Sequence, residues 1–133
     1  MIVDTGPLVA VLNGRDAHHA WAVAELAAIP APLLTCEAVL AEACHLCGPR
    51  GAPTVLELVR RGAVAPAFRL EEQLPTVERL MRRYANVPMA LADACLVRMA
   101  EIVPDAVVWT LDADFRVYRK NGRAVIPTIM PRR

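Results

Sequence analysis

The sequence is poor in several residue types, and each shortage excludes a class of protein. Lys120 is the only lysine among 133 residues, and aromatic residues make up 5% of the chain, so a platform of stacked aromatics for nucleic-acid bases is not expected. No apolar run reaches the roughly 20 residues that span a bilayer. No basic segment precedes an apolar one at the start, as a secretory signal requires. We therefore expect a soluble, cytosolic protein with no membrane association.

Charge is nearly balanced overall but uneven along the chain. The formal net charge is +1, which gives no global basic footprint. After Asp114 there is no acidic residue, and the basic residues Arg116, Arg119 and Lys120 follow closely. They are candidates for contacts with phosphate groups, and a solvated charged segment is the alternative. Any contact with nucleic acid should be made mainly to its backbone.

Length and composition predict one domain, residues 1–133, whose hydrophobic content of 56% is ample for a sizeable core. Short apolar segments at 2–3, 33–34, 107–110 and 125–126 are expected as strands. Helices are expected between them, which predicts a mainly parallel sheet covered by helices on both faces. The predicted helices span residues 7–12, 17–28, 36–47, 53–61, 71–84 and 89–103.

The first dozen residues place a carboxylate where an unpaired charge is costly. Ile2 and Val3 predict a buried strand ending at Asp4, and Thr5 or Gly6 is expected to cap the helix that follows. Burial of an unpaired charge is strongly unfavourable. Ligands of open α/β sheets bind beyond the carboxyl ends of the strands, so we expect other groups to converge on Asp4.

Three further acids are predicted to point toward the same region. Asp112 follows a core strand, while Glu42 and Asp93 lie on largely apolar helix faces with no Lys or Arg placed to neutralise them. Two carboxylates about 4 Å apart repel by roughly 4 kcal/mol at an effective dielectric constant near 20, so protons or cations must relieve the repulsion. Clustered hard oxygen ligands suit Mg²⁺ or Mn²⁺ and indicate metal-assisted phosphoryl chemistry. Taken singly, each acid is also explained as a helix cap or a satisfied core carboxylate.

Four short motifs resemble those of the PIN domain family, in that family's order and roughly its spacing. They are Asp4-Thr5-Gly6-Pro7-Leu8, Glu42 on an Ala-rich helix after Thr35, Leu91-Ala92-Asp93-Ala94, and Thr110-Leu111-Asp112-Ala113-Asp114-Phe115. The resemblance covers the whole chain. The members to which it is most similar are the VapC-type toxins and related predicted ribonucleases.

This resemblance implies a three-layer α/β/α sandwich and a metal-dependent endoribonuclease that is the toxin of a type II toxin-antitoxin pair. It implies that Mg²⁺ or Mn²⁺ is held by catalytic acids supported by threonine hydroxyls. Asp112 is favoured over Asp114 as the fourth ligand because it follows its strand more directly. The residues implied are Asp4, Glu42, Asp93 and Asp112 as metal-binding acids, Asp114 as a helper, and Thr5 and Thr110 as supports.

The partners implied are an RNA substrate, an antitoxin protein whose tail covers the acidic pocket, and a second copy of the chain in a homodimer. Two other interpretations were weighed. A phosphatase whose first strand ends Asp-x-Asp is disfavoured, because position 6 is Gly6. A catalytically weak or inactive PIN-like module that binds RNA or protein is the alternative that stays open.

Several other residues receive a plainer interpretation. The four cysteines are expected as buried free thiols, since a zinc site at Cys44-His45-Leu46-Cys47 would need a second cluster of ligands. A solvated face is expected for the arginines of the fifth predicted helix. Glu101 has Arg98 one turn away and is expected at the surface. The arginines are Arg79, Arg82 and Arg83.

Overall fold

The computed structural model describes residues 1–132 and is built on five short parallel strands. Their order across the sheet is β3-β2-β1-β4-β7, and each of the four neighbouring pairs is parallel. Two further strands form a separate antiparallel hairpin. The strands are β1 (Ile2–Val3), β2 (Leu33–Thr35), β3 (Val64–Pro66), β4 (Val108–Trp109), β5 (Arg119–Lys120), β6 (Ala124–Val125) and β7 (Thr128–Ile129).

Helices cover both faces of this sheet. Ile2 and Val3 are successive residues of one strand and so point to opposite faces, and both are fully buried. The predicted three-layer α/β/α sandwich with a parallel sheet is therefore confirmed. The helices are α1 (Thr5–Leu12), α2 (His19–Ala28), α3 (Glu37–Arg60), α4 (Leu70–Arg83) and α5 (Leu91–Ile102).

Helix α5 lies deepest in the molecule. Seven of its 12 residues are buried, and the three alanines and one cysteine among these seven let the helix approach β1, α3 and α4 closely. A helix that is apolar nearly all round is expected to be enclosed in this way. Its first turn carries Asp93, so the most buried helix positions one of the predicted acids. None of the helices within residues 1–132 is both long and apolar enough to cross a membrane.

The ends of the first helices differ from the sequence prediction. Helix α1 is capped by Asp4, not by Thr5 or Gly6, because the Asp4 carboxylate itself accepts a hydrogen bond from the Thr5 backbone N–H. Helix α2 begins at His19, and Asp16 instead accepts from the His18 backbone N–H in the turn before it. The capping carboxylate of α1 thus lies one residue before the predicted cap, and α2 begins two residues after its predicted start at residue 17.

The two helices predicted on either side of residue 48 form one kinked helix. Gly48 has a φ of +71°, which interrupts α3, and the helical path resumes directly after it. Pro49 fits the first turn of the resumed helix, where its missing N–H has no partner to lose. The second helical part therefore starts before the predicted Pro53.

The C-terminal strand was predicted wrongly. Residues 125–126 do not join the sheet, because Val125 belongs to the hairpin of β5 and β6, and β7 follows Pro127. The hairpin turns at Asn121 and Gly122, which have φ values of +52° and +82°. The Asn-Gly pair between two short extended segments is the sequence signal for this hairpin.

Candidate active site

The site is built where β1 and β4 end side by side. Val3 lies opposite Trp109 in the sheet, so the next residues, Asp4 and Thr110, are neighbours. The Thr110 hydroxyl donates to Asp4 Oδ2 at 2.7 Å, and the Thr5 backbone N–H donates to Oδ1 at 2.7 Å. With 8% of its surface exposed, Asp4 is both buried and held at each oxygen.

Thr110 also links Asp4 to the loop beyond β4. Its hydroxyl oxygen accepts a hydrogen bond of 2.9 Å from the Asp112 backbone N–H. Asp112 Oδ1 in turn accepts a bond of 2.9 Å from the Asp114 backbone N–H, at the start of the 3₁₀ turn Ala113–Arg116. Both aspartates are half-buried. One threonine hydroxyl thus joins the carboxyl end of β1 to the acidic loop.

Asp93 reaches the site from the first turn of α5. Its Oδ2 accepts a hydrogen bond of 3.0 Å from the Ala90 backbone N–H and one of 3.4 Å from the Tyr118 hydroxyl. Tyr118 is fully buried, whereas Asp93 is half-buried. The carboxylate is therefore fixed by its own helix terminus and by a side chain 25 residues away.

Glu42 is more exposed than its helix face predicted. It lies at the solvent side of α3, and its Oε2 accepts from the Thr5 hydroxyl at 3.3 Å. His45 and Leu46 on the same stripe are also exposed, whereas Val39 is buried. The prediction that Glu42 points into the core is wrong, because the face of α3 that carries Glu42, His45 and Leu46 lies at the edge of the packed surface of the helix. The carboxylate borders the site from the solvent side.

Burial and the charges of neighbouring acids raise the pKa of two of the acids, Asp4 and Asp93. Burial raises the pKa of Asp4 to about 6, and the charges of Asp93 and Asp112 add to the effect against the opposing bonds from Thr110 and Thr5. Burial also raises the pKa of Asp93, followed by the charges of Asp112 and then Glu42. These four carboxylates are thus close enough to influence one another electrostatically.

Positive side chains do not relieve this repulsion. None of the ion pairs formed within residues 1–132 includes Asp4, Glu42, Asp93, Asp112 or Asp114. Burial, followed by the nearby aspartate charges, also raises the pKa of Tyr118, so its hydroxyl keeps its proton and acts as a donor. The cluster therefore carries excess negative charge, and its side-chain donors are the neutral hydroxyls of Thr5, Thr110 and Tyr118.

The chain is similar to a known protein family and to solved structures. The PIN domain family matches residues 1–121, a range that contains all five acids. The chain belongs to the PIN domain family. Five solved protein chains match it, among them VapC20 of Mycobacterium tuberculosis, a sarcin-ricin loop cleaving toxin. That match has a TM-score of 0.73 and 25% sequence identity, and it covers 87% of this chain and 92% of VapC20. No curated protein matched the chain.

The VapC-type resemblance expected from the motifs is confirmed by these matches. The donor chemistry of this PIN domain also fits a hard divalent cation, because every candidate ligand is a carboxylate oxygen without a cationic partner in the described chain. Across residues 1–132, no three His, Cys, Asp or Glu side chains form a group ready to hold a metal ion. Mg²⁺ usually keeps several waters and takes only one or two carboxylates, so a set this open suits it.

The basic residues after the acidic loop have different environments in the PIN domain. Arg119 Nη1 donates to the backbone carbonyls of Arg116, Val117 and Tyr118, at 2.7 to 3.1 Å, and so ends the 3₁₀ turn. Arg116 is exposed, and Lys120 is half-buried in β5. Arg119 thus has a structural role at the turn, and Arg116 is the freest of the three candidates for contact with phosphate.

Tyr118 was missed in the sequence analysis. It lies outside every predicted helix and strand, and its bond to Asp93 is a long-range contact that no local pattern announces. Tyr84 packs edge-on against it, with ring centroids 5.1 Å apart, and the Tyr84 hydroxyl accepts from the Arg119 backbone N–H at 2.9 Å. Three of the six aromatic residues, Tyr84, Phe115 and Tyr118, pack edge to face beside Asp93, a cluster that no local sequence pattern indicates.

Among the cysteines, the prediction of buried free thiols holds for two. All four thiols are free, and Cys36 and Cys95 are buried, whereas Cys44 and Cys47 are half-buried. Cys36 is near enough to Asp4 for the carboxylate charge to act on the thiol pKa, although the thiol of Cys95 has the largest influence and lowers it. These two cysteines therefore pack behind the acids as small apolar residues.

Proposed function

We propose that this PIN domain is a metal-dependent endoribonuclease that hydrolyses RNA phosphodiester bonds, as the toxin of a type II toxin-antitoxin pair. The observation that carries the proposal is the convergence of Asp4, Glu42, Asp93 and Asp112 at the carboxyl ends of β1 and β4, with Asp4 buried and its pKa raised to about 6. Membership of the PIN domain family and the likeness to a VapC toxin support the same class of reaction.

The four acids would hold Mg²⁺ or Mn²⁺, with Asp114 beside them. When bound, the ion polarises a phosphoryl oxygen and activates water as the nucleophile. The chain's own groups set the geometry. Thr110 fixes Asp4 and the backbone of Asp112, and Tyr118 stays protonated and orients Asp93. No step requires a histidine or lysine base.

Asp112 is the better fourth ligand of the two loop aspartates. Its charge raises the pKa of both Asp4 and Asp93, so it lies within electrostatic reach of each. The Asp114 backbone N–H holds the Asp112 carboxylate in place, and the charge of Asp114 acts on Tyr118. Asp114 is thus placed to position Asp112 and to add negative charge at the rim.

The proposed partners follow from the VapC likeness. VapC20 is a sarcin-ricin loop cleaving toxin, and we propose that RNA is the substrate class here as well. An antitoxin tail would cover the acidic pocket, the chain would form a homodimer, and the protein would act in the cytoplasm. The Thr5 hydroxyl would serve as the support of Glu42, as their 3.3 Å hydrogen bond suggests.

Loss of metal-dependent cleavage in Asp93→Asn tests the proposal. The parent should cleave a fluorescently labelled RNA in Mn²⁺ or Mg²⁺ and stop in EDTA, and the variant should be slower by at least about 100-fold, the effect of losing a metal ligand or its support. Asp105→Asn, at an exposed position, is the matched control and should cleave like the parent.

Direct titration of Mn²⁺ makes the test independent of contaminating ribonuclease. The parent and Asp105→Asn should bind Mn²⁺, and Asp93→Asn should lose most of that binding. An Asp93→Asn protein that binds Mn²⁺ and cleaves RNA as fast as the parent would rule the proposal out.

We propose as the alternative a catalytically weak or inactive PIN-like module that binds RNA or protein without turnover. That function predicts RNA binding that is unaffected by EDTA and no cleavage in either metal. The same two assays therefore separate the two functions.

A further inference from the structure

A cleft lined by Arg79 and Arg83 lies between α4, α5 and the hairpin of β5 and β6. Its volume is about 370 Å³, within the usual range for pockets that bind small groups. It is a different site from the acidic cluster, since none of the five acids lines it. The lining includes Thr76, Arg79, Arg83, Arg98, Glu101 and Gly122.

At the floor of the cleft, the charges of Arg98 and Glu101 neutralise each other. Arg98 Nη1 donates to Glu101 Oε1 at 3.2 Å, and Arg98 Nε donates to Gln73 Oε1 at 2.8 Å. Glu101 Oε2 accepts a bond of 2.6 Å from the Asn121 backbone N–H, which ties the hairpin turn to α5. The Glu101 side chain is only 7% exposed, so the expectation that it lies at the surface is wrong. Glu101, the single acidic residue that lines the cleft, therefore pairs with Arg98 and does not balance the charge of Arg79 or Arg83.

The rim of the cleft carries positive charge that nothing in the described chain balances. Neither Arg79 nor Arg83 forms an ion pair within residues 1–132, whereas Arg82, which does not line the cleft, pairs with Glu78. Arg83 Nη2 donates to the Gly122 carbonyl at 2.7 Å, and its guanidinium lies 5.1 Å from the centre of the Tyr84 ring. One arginine is therefore held in place with most of its five donors unused.

The cleft is connected to the acidic cluster through two tyrosines. The Arg83 guanidinium packs on Tyr84, Tyr84 packs on Tyr118 with centroids 5.1 Å apart, and the Tyr118 hydroxyl lies 3.4 Å from Asp93. Two buried rings separate Asp93 from the Arg83 guanidinium, so a strand with one phosphodiester at the acids would bring a group farther along the strand, and not the adjacent one, toward the arginines. Both rings are buried edge-on against each other, so they offer no flat surface for a base.

We propose that this cleft binds a phosphodiester of the RNA strand away from the bond that is cut, with Arg79 and Arg83 as its ligands. The identity of the strand rests on the proposed function, whereas the anion site rests on the geometry. Guanidinium groups match phosphate oxygens in a fork, and backbone contacts of this kind position a strand without reading its sequence. The cleft would therefore set how the strand lies across the acids.

The test is RNA binding by the double variant Arg79→Gln/Arg83→Gln in EDTA. Fluorescence anisotropy with a labelled 12-nucleotide RNA would be measured between 50 and 200 mM KCl. Loss of one phosphate contact should reduce the slope of log affinity against log salt by about 0.7, which is about fivefold in affinity near 0.1 M salt. Arg60→Gln/Arg61→Gln removes the same charge from the end of α3 and should bind like the parent.

The Arg79→Gln single variant guards against disturbance of the hairpin. Arg79 is exposed and Arg83 keeps its bond to Gly122, so the single variant should fold normally and weaken binding in the same direction. Equal affinities and slopes for the cleft variants and the Arg60→Gln/Arg61→Gln control would overturn the proposal. Inorganic phosphate that raises the melting temperature through Arg79 and Arg83, without any effect of the variants on RNA binding, would assign the cleft to a free anion and overturn it as well.

The outcome is separable from that of the proposed function. A parent protein that cleaves RNA in Mn²⁺ while the cleft variants bind RNA normally contradicts only the cleft. A parent that never cleaves, yet loses RNA affinity in the cleft variants, contradicts the nuclease and supports the anion site.

Discussion

Asp4→Asn should make the metal-free protein more stable at neutral pH while it removes activity. Asp4 is 8% exposed, and burial is the largest cause that raises its pKa from 3.8 to about 6. At 1.36 kcal/mol per pKa unit, that shift corresponds to about 3 kcal/mol of unfavourable free energy in the charged, folded state. An uncharged amide avoids this cost.

The stability gained by Asp4→Asn relative to the parent must increase as the pH rises. Between pH 3.8 and about 6 the folded protein keeps a proton that the unfolded chain has released, so the free energy of unfolding falls as the pH rises through this window. The deficit is complete above pH 6 and absent below 3.8. The amide also gives up one of the two hydrogen bonds from Thr5 and Thr110, a loss of about 1 to 2 kcal/mol. The net gain is about 1 to 2 kcal/mol at pH 7.5, and at pH 4 the variant should be the less stable protein.

The measurement is the melting temperature in EDTA from pH 4 to pH 8, followed by circular dichroism. A gain of 1 to 2 kcal/mol should raise the melting temperature by about 4 to 8 °C for a chain of this size. Asp105→Asn is the control, because the residue is exposed and its φ of +52° suits asparagine equally well. Mn²⁺ should raise the melting temperature of the parent and not of Asp4→Asn. A variant that is less stable than the parent at pH 7.5, or whose difference from the parent is the same at pH 4.5, would refute the reasoning.

Three other substitutions test the supports of the site. Thr110→Val leaves Asp4 Oδ2 and the Asp112 N–H without a partner, so urea unfolding should show a loss of about 2 to 3 kcal/mol, which Thr110→Ser should largely restore. Tyr118→Phe removes a hydrogen bond that lowers the pKa of Asp93 and so opposes the effect of burial. The variant should therefore bind Mn²⁺ more weakly in a titration at pH 6, and unchanged binding would contradict this role. Gly48→Ala, at a φ of +71° and a ψ of 178° that are essentially restricted to glycine, should lower the free energy of unfolding by about 1 to 3 kcal/mol and leave RNA cleavage at the parent rate.

The place of Asp4 could be predicted because its signals are local. Two apolar residues, a capping residue and a proline within seven positions define a strand that turns into a helix, and the structure confirms β1, α1 and the burial of Asp4. Helix α5 was predictable for a related reason, since a nearly continuous apolar surface must be enclosed. Periodicity reports the direction of a side chain but not the depth of its helix, which is why Glu42 lies nearer to solvent than expected.

Other parts of the site depend on contacts that no local pattern contains. Strands of two residues are too short to show alternation, so β7 and the hairpin of β5 and β6 escaped the pattern analysis. The Tyr118 bond to Asp93 and the approach of the hairpin to α4 both join segments distant in sequence. Arg79 and Arg83 therefore read as an ordinary solvated face until the hairpin is placed against them.

The hydrogen bonds that let the acids cap their helices are the same bonds that orient these acids in the site. Asp4 caps α1, Asp93 accepts from the backbone at the start of α5, and Asp112 caps the 3₁₀ turn. Each helix terminus favours a nearby negative charge by about 0.3 to 1 kcal/mol, which offsets part of the repulsion in the metal-free protein. The same bonds fix where the remaining lone pairs point. Replacement by Asn keeps much of the cap and removes the charge, whereas replacement by Ala removes both. The difference in the free energy of unfolding between Asp93→Asn and Asp93→Ala should therefore measure the contribution of the cap. The loss of activity that the two variants share should measure the contribution of the charge to the site.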